Sequence, residues 1–140
     1  MADSTYGPEQ WKNLVNEIGI GRSGLMKPTA YDTAWLARVP AEYDPSVSAF
    51  PEALDWLRRT QWPDGSWGAE IEYVHDRVIS TLAAILALAE WGRDAQDARR
   101  VERGLRYVWE KADQLEHEQE TIGFEVIVPT FLKKLSLIHI

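Results

Sequence analysis

Four groups of residues in this 140-residue chain combine side-chain types and spacings that could do chemistry. Tyr31-Asp32-Thr33 places a carboxylate between two hydroxyls, suited to capping a helix or to holding Tyr31 or a nearby Arg. Trp56, Gln61, Gly65 and Trp67 combine large rings with one amide and one turn glycine. At a helix end, the Gln61 amide can donate to orphan carbonyls, Gly65 permits a tight turn, and Trp67 can lie back on the helix end. His75-Asp76-Arg77 sets an imidazole, a carboxylate and a guanidinium at the start of an apolar run. His75 invites reading as a base, but a lone histidine there is more often a cap or a solvated residue, and no catalysis is assigned to it. Glu116, His117, Glu118 and Glu120 form an acidic run whose oxygens would suit Mg²⁺. A solvated charged loop is the preferred reading of that run.

Composition removes other chemistries. The chain has no cysteine, which excludes disulfides, thiolate metal sites and thiol nucleophiles. A net charge of −7 repels phosphate backbones, so no nucleic-acid partner is expected. An anionic small substrate would need a local basic group or Mg²⁺ to offset that field. The run Val78–Ala89 is too short to span a bilayer, and the polar start of the chain carries no signal pattern. A soluble, cytoplasmic protein without a membrane span is expected.

The elements that must position these groups are helical almost throughout. Trp11, Leu14, Val15 and Ile18 share one face of a predicted helix over Pro8–Ile18, which Gly19, Gly21, Gly24 and Pro28 end. Short helices are predicted at Tyr31–Val39 and Pro51–Gln61, the second with Pro51 in its first turn, and a turn at Pro63-Asp64-Gly65. Asp76 is the expected N-cap of a helix running to about Trp91, with Gly92 as C-cap. That helix is apolar on nearly every face and should be buried all round. Ala95–Glu116 reads as an outer helix with a stripe of Val101, Leu105, Val108 and Trp109. Ile122–Lys134 reads as a last helix that Pro129 kinks or begins. Glu52–Leu57 and Arg103–Val108 share a small–x–x–aromatic–aliphatic pattern, a faint repeat of helical-hairpin length. No sustained alternation or Asn-Gly hairpin argues for strands. The fold class is therefore all-α, a partial α/α barrel.

Three segments carry a resemblance. Thr29–Trp35 (TAYDTAW), Gln61–Gly68 (QWPDGSWG) and Ile122–Pro129 (IGFEVIVP) resemble, in this order, the class II diterpene cyclases of the copalyl diphosphate synthase type. Val74–Trp91 resembles the inner helix following the QW repeat in those enzymes. The resemblance implies terpenoid cyclase/prenyltransferase-like helical repeats. It also implies a structural, non-catalytic role for Trp56, Gln61, Gly65 and Trp67. The implied layout is an N-terminal helix and Gly-rich linker over residues 1–28 and a partial γ-type domain over 29–134. Residues 135–140 (LSLIHI) read like a translated sequencing adaptor and are expected to be a non-native tail. The parent enzyme implied is an isomerase that protonates geranylgeranyl diphosphate and closes it to a copalyl-type bicyclic diphosphate, with Mg²⁺ as cofactor. The Asp-x-Asp-Asp acid of that family does not occur here, so no catalytic residue is assigned. It belongs to a β domain expected as a missing part of the same chain, and this piece is expected to be inactive alone. The family's Glu-Asp-x-x-Asp stretch is not matched by the run at Glu116–Glu120, so no metal ligand is assigned. A squalene–hopene type cyclase fragment and a non-catalytic helical-repeat binding module are the alternatives. An open barrel would leave Val78–Ala89 without partners, which predicts poor solubility.

Overall fold

The computed structural model describes residues 28–116 and 124–138. The helix predicted over Pro8–Ile18 lies outside them. Five α-helices follow in chain order: α1 (Ala30–Ala37), α2 (Pro51–Thr60), α3 (Val74–Trp91), α4 (Asp97–Lys111) and α5 (Phe124–Leu137), with a 3₁₀ turn at Ala112–Glu116 after α4. Among the described residues no strand forms, and the one β-type pairing is an isolated bridge between Pro40 and Ser48. The chain is all-α.

Helix α3 is the centre of the molecule. From Val74 to Leu88 every residue except Asp76 is buried. Helices α1, α4 and α5 pack against it, while α2 rests mainly on α1. The segment expected to lack partners is therefore covered: Leu82, Ala84, Ile85, Leu86 and Ala87 are wholly inaccessible. The premise of the poor-solubility expectation fails for this helix, because its neighbours within the chain enclose it.

Small residues set the close approach of the elements. Ala30, Ala34 and Ala37 form the buried stripe of α1, so that short helix can lie against α3 without long side chains between them. On α4, a Cβ at Gly104 would sit 3.0 Å from the Ile85 side chain and 3.1 Å from the Trp67 ring. The buried face of α4 is Asp97, Val101, Gly104 and Tyr107. The expected stripe is corrected here: Tyr107 is 1% exposed and Trp109 is 78% exposed. At about 100° per residue, a face centred on Gly104 includes Tyr107 and turns Trp109 to solvent.

Two helix starts also differ from expectation. Thr29, not Asp32, caps α1: its Oγ1 accepts from the Asp32 amide (3.2 Å) and donates to the Asp32 carboxylate (2.7 Å). Helix α3 begins at Val74 after an extended Tyr73, so Asp76 lies in the first turn rather than at the cap. A carboxylate in that turn still faces the positive end of the helix dipole. Pro129 lies inside α5, and the helix continues across Lys134–Leu135 with Leu135 in the core.

Candidate functional site

Three of the four residues of the QW segment, Gln61, Gly65 and Trp67, converge at the α2–α3 connection. Gln61 follows the last turn of α2, and its Nε2 donates to the carbonyls of Gly65 and Arg100, each at 2.9 Å. One amide thus joins its own turn to α4, rather than capping the orphan carbonyls of α2. Trp67 is wholly buried, and its indole N–H donates to Leu57 O at 2.7 Å. Its backbone N–H donates to Thr81 Oγ1 at 3.0 Å, which ties the turn to α3. Gly65 has φ of 94°, and any Cβ there would collide with the Arg103 carbonyl. Trp56 is half-buried on α2 and packs against the core. The structure therefore brings Gln61, Gly65 and Trp67 together through α2, α3 and α4.

Arg77 is the buried hub of this region, and its pattern was not legible in the sequence. Its Nε donates to Ala69 O (3.0 Å) and its Nη1 to Ser66 Oγ (2.9 Å). The Asp64 carboxylate lies 3.8 Å from it, and the guanidinium carbon stacks 5.2 Å from the Trp62 ring centre. A guanidinium that is 4% exposed is tolerable because carbonyls, a hydroxyl and a carboxylate replace its water. Asp76 and Arg77, neighbours in sequence, form no ion pair: Arg77 turns to the loop, and no partner binds the Asp76 side chain among the described residues.

Beside this turn lies a cleft of roughly 740 Å³ bounded by Pro28–Tyr31, Trp56, Trp62, Gly68–Glu70, Asp76, Ile79 and Ile127. Tyr31 is held edge-on to Trp35 (6.2 Å between ring centres) and to Phe131 (6.4 Å). Trp35 itself stacks with Arg38 (4.8 Å) and Lys134 (5.2 Å). His75 is not solvated as expected: it is 1% exposed and stacks on Tyr73 at 5.6 Å.

Two further polar nodes were missed from sequence. Asp97, on the first turn of α4, is nearly inaccessible and receives Arg58 (2.9 Å), Arg100 (3.0 Å) and the Asp94 amide (3.1 Å). The Asp97 bond, ahead of the cost of burial, pushes Arg58 further up. Glu72 accepts from Tyr107 Oη at 2.8 Å and pairs with Lys111 at 3.2 Å. The Tyr107 hydrogen bond first, then Lys111, holds Glu72 below the usual carboxylate range. Burial first, then Glu72, pushes the Tyr107 phenol up. Arg58, Tyr107 and Lys111 each lie more than thirty residues from the carboxylate they meet, beyond any local pattern.

His117, Glu118 and Glu120 lie outside the described residues, as does the side chain of Glu116. Among the described residues no cluster of three or more His, Asp or Glu could hold a metal ion. These residues do not fit an Mg²⁺ site, and no step is derived through one. Nor is any helix there long and apolar enough to cross a membrane. The QW turn holds elements together and presents no nucleophile–base pair.

No family model matches the chain. Among curated proteins, it is 38% identical over 128 residues to a bifunctional levopimaradiene synthase of Pinus contorta, covering 88% of this chain and 14% of that one. It is 39% identical over 133 residues to a (−)-kolavenyl diphosphate synthase of Tripterygium wilfordii, covering 90% and 16%. Both relatives are named as chloroplastic. Among solved structures, ent-copalyl diphosphate synthase from Arabidopsis thaliana, in complex with (S)-15-aza-14,15-dihydrogeranylgeranyl thiolodiphosphate, superposes with a TM-score of 0.72 at 33% identity. That match covers 93% of this chain and 19% of the neighbour. Abietadiene synthase from Abies grandis superposes with a TM-score of 0.74 at 31% identity, covering 94% and 18%. The chain thus spans less than a fifth of the length of these proteins.

Proposed function

The chain belongs to the diterpene synthases, matching a class II diterpene cyclase over the segment it spans, and from that premise we propose that it is a γ-type portion of such an enzyme. The parent would be an isomerase: it would protonate geranylgeranyl diphosphate and close it to a copalyl-type bicyclic diphosphate. The observation that carries this reading is the joint likeness, in sequence and in fold, to enzymes named for diphosphate products, kolavenyl and ent-copalyl diphosphate synthase. The geranylgeranyl analogue named with the Arabidopsis structure supports the substrate class.

In this reading residues 29–134 belong to the γ-type domain, and a β domain carries the Asp-x-Asp-Asp acid, which this sequence lacks. Trp56, Gln61, Gly65 and Trp67 hold the domain together without touching substrate, and the hydrogen bonds of Gln61 and Trp67 support that role. Mg²⁺ would be held by residues outside those described. Residues 135–140 remain a proposed non-native tail. A cytoplasmic location belongs to the same proposal, against the chloroplastic names of the plant relatives.

Two measurements test the proposal. The 140-residue chain incubated with geranylgeranyl diphosphate and Mg²⁺ should give no bicyclic product. Genomic sequence across Lys134–Leu135 should continue in frame to an Asp-x-Asp-Asp motif, and that longer product should cyclise the substrate. A longer reading frame that meets no such motif would remove the cyclase assignment.

A further inference from the structure

Residues 68–72 form a strap between the QW turn and the start of α3, and Gly68, Ala69 and Glu70 are one wall of the cleft beside that turn. Burial does not hold the strap in place. Residues 69–72 are exposed, and Ile71, their one large apolar side chain, is 86% exposed. Nor does the backbone: among the described residues no hydrogen bond joins the main chain of 68–72 to another main-chain group. Side chains fix the strap instead, at two ends.

At the inner end Trp62 donates its indole N–H to Gly68 O at 3.0 Å. Arg77 donates to the carbonyls of Ala69 (3.0 Å) and Glu70 (3.3 Å). At the outer end the Glu72 carboxylate accepts from Tyr107 Oη at 2.8 Å and meets Lys111 Nζ at 3.2 Å. Lys111 Nζ also lies 5.7 Å from the centre of the Tyr107 ring, so the three side chains form one cluster. The two ends differ in how far water reaches them. Arg77 is buried, whereas the Glu72 and Lys111 side chains are 42% and 24% exposed, and water competes for their pair. A segment without buried apolar contacts or backbone bonds opens well below the free energy of global unfolding. Gly68, at φ of 139°, supplies the pivot.

We propose that residues 68–72 are a hinged wall of the cleft, latched to α4 by Tyr107 and Lys111 through Glu72, and that releasing the latch swings the strap outward while the helices stay folded. Tyr107 and Lys111 are positioning residues in this device: they set where Ala69 and Glu70 stand in the wall without lining the cleft themselves. The device lies within this chain and does not depend on the cyclase reading. The test is native-state proteolysis of the 140-residue chain with a glutamate-specific endoprotease, with mass spectrometry to follow cuts after Glu70 and Glu72. Tyr107→Phe removes one hydroxyl, Lys111→Met removes one charge, and neither alters the cleavage sites. Each variant should speed strap cleavage at least threefold over the parent, with no gain at Glu102 on α4 and an unchanged far-UV circular dichroism spectrum. Strap cleavage should also be nearly independent of urea below the unfolding transition, the signature of a local opening. A smaller gain in either variant, an equal gain at Glu102, or a strap rate that climbs with urea as steeply as global unfolding would each overturn the proposal.

Discussion

At the residue scale, the most consequential side chains are those that satisfy a buried group at a distance in sequence. Trp67 fills the space under Gly104 and spends its indole N–H on Leu57 O. Trp67→Ala should cost about 3–5 kcal/mol, the range for large aromatic truncations in a core, read as a drop in the urea midpoint. Asp97 neutralises Arg58 and Arg100 at once, with its carboxylate almost fully enclosed. Asp97→Ala removes the carboxylate that the two guanidinium groups share, although Arg58 keeps Asp55 and Arg100 keeps Asp94, and should cost about 1–3 kcal/mol, while replacing the exposed Glu102 should change little. Glu72 gives a pH signature. Its folded pKa lies below the ordinary glutamate value, so its contribution is present above about pH 4.3 and is lost as pH falls through the folded value. The difference in urea midpoint between the parent and Glu72→Gln should therefore shrink between neutral pH and about pH 3. It should be small throughout, on the order of 1 kcal/mol or less, because Glu72 is largely exposed.

At the element scale, the fold depends on how closely α1 and α4 approach α3. The alanine stripe of α1 makes that contact, with Ala34 wholly buried. Ala34→Leu should overpack the contact and cost about 1–3 kcal/mol, measured by thermal melting. The reading of α4 shows what periodicity can and cannot do. Its helical content and amphipathic character follow from the sequence, and the repeat pairing Ala53 with Gly104 falls on the buried faces of α2 and α4. Its stripe was drawn too far toward Trp109, because hydrophobicity alone ranks an indole above a glycine. The close approach to Ile85 and Trp67 favours the glycine. Asp97 escaped notice for a related reason: an acidic residue in a first turn normally faces water, and its burial depends on Arg58 from α2.

At the scale of the whole molecule, α3 is enclosed by α1, α4 and α5, so its amides should exchange last. Native-state hydrogen exchange of the 140-residue chain should show protection greatest near Leu82–Leu86 and lower toward the ends of α1 and α5. Uniformly fast exchange across α3 would mean that these helices do not enclose it in solution. The same enclosure removes the reason for expecting an exposed inner helix. That expectation treated α3 as the edge of an open barrel, whereas α5 folds back across it.

By itself the sequence determined the all-α class, the order of the helices and the kinship with diterpene cyclases. These reside in local periodicity, helix punctuation and short motifs, each written over a dozen residues or fewer. Tertiary structure alone decided which polar residues are buried and with whom. Arg58–Asp97, Glu72–Tyr107 and Gln61–Arg100 each join residues about 35 to 39 positions apart. It also turned Arg77 to the loop and not to its neighbour Asp76. The physical reason is common to all of them. Burial of a charge is settled by the partners that folding brings within about 3 Å, and neither spacing nor composition encodes that distance.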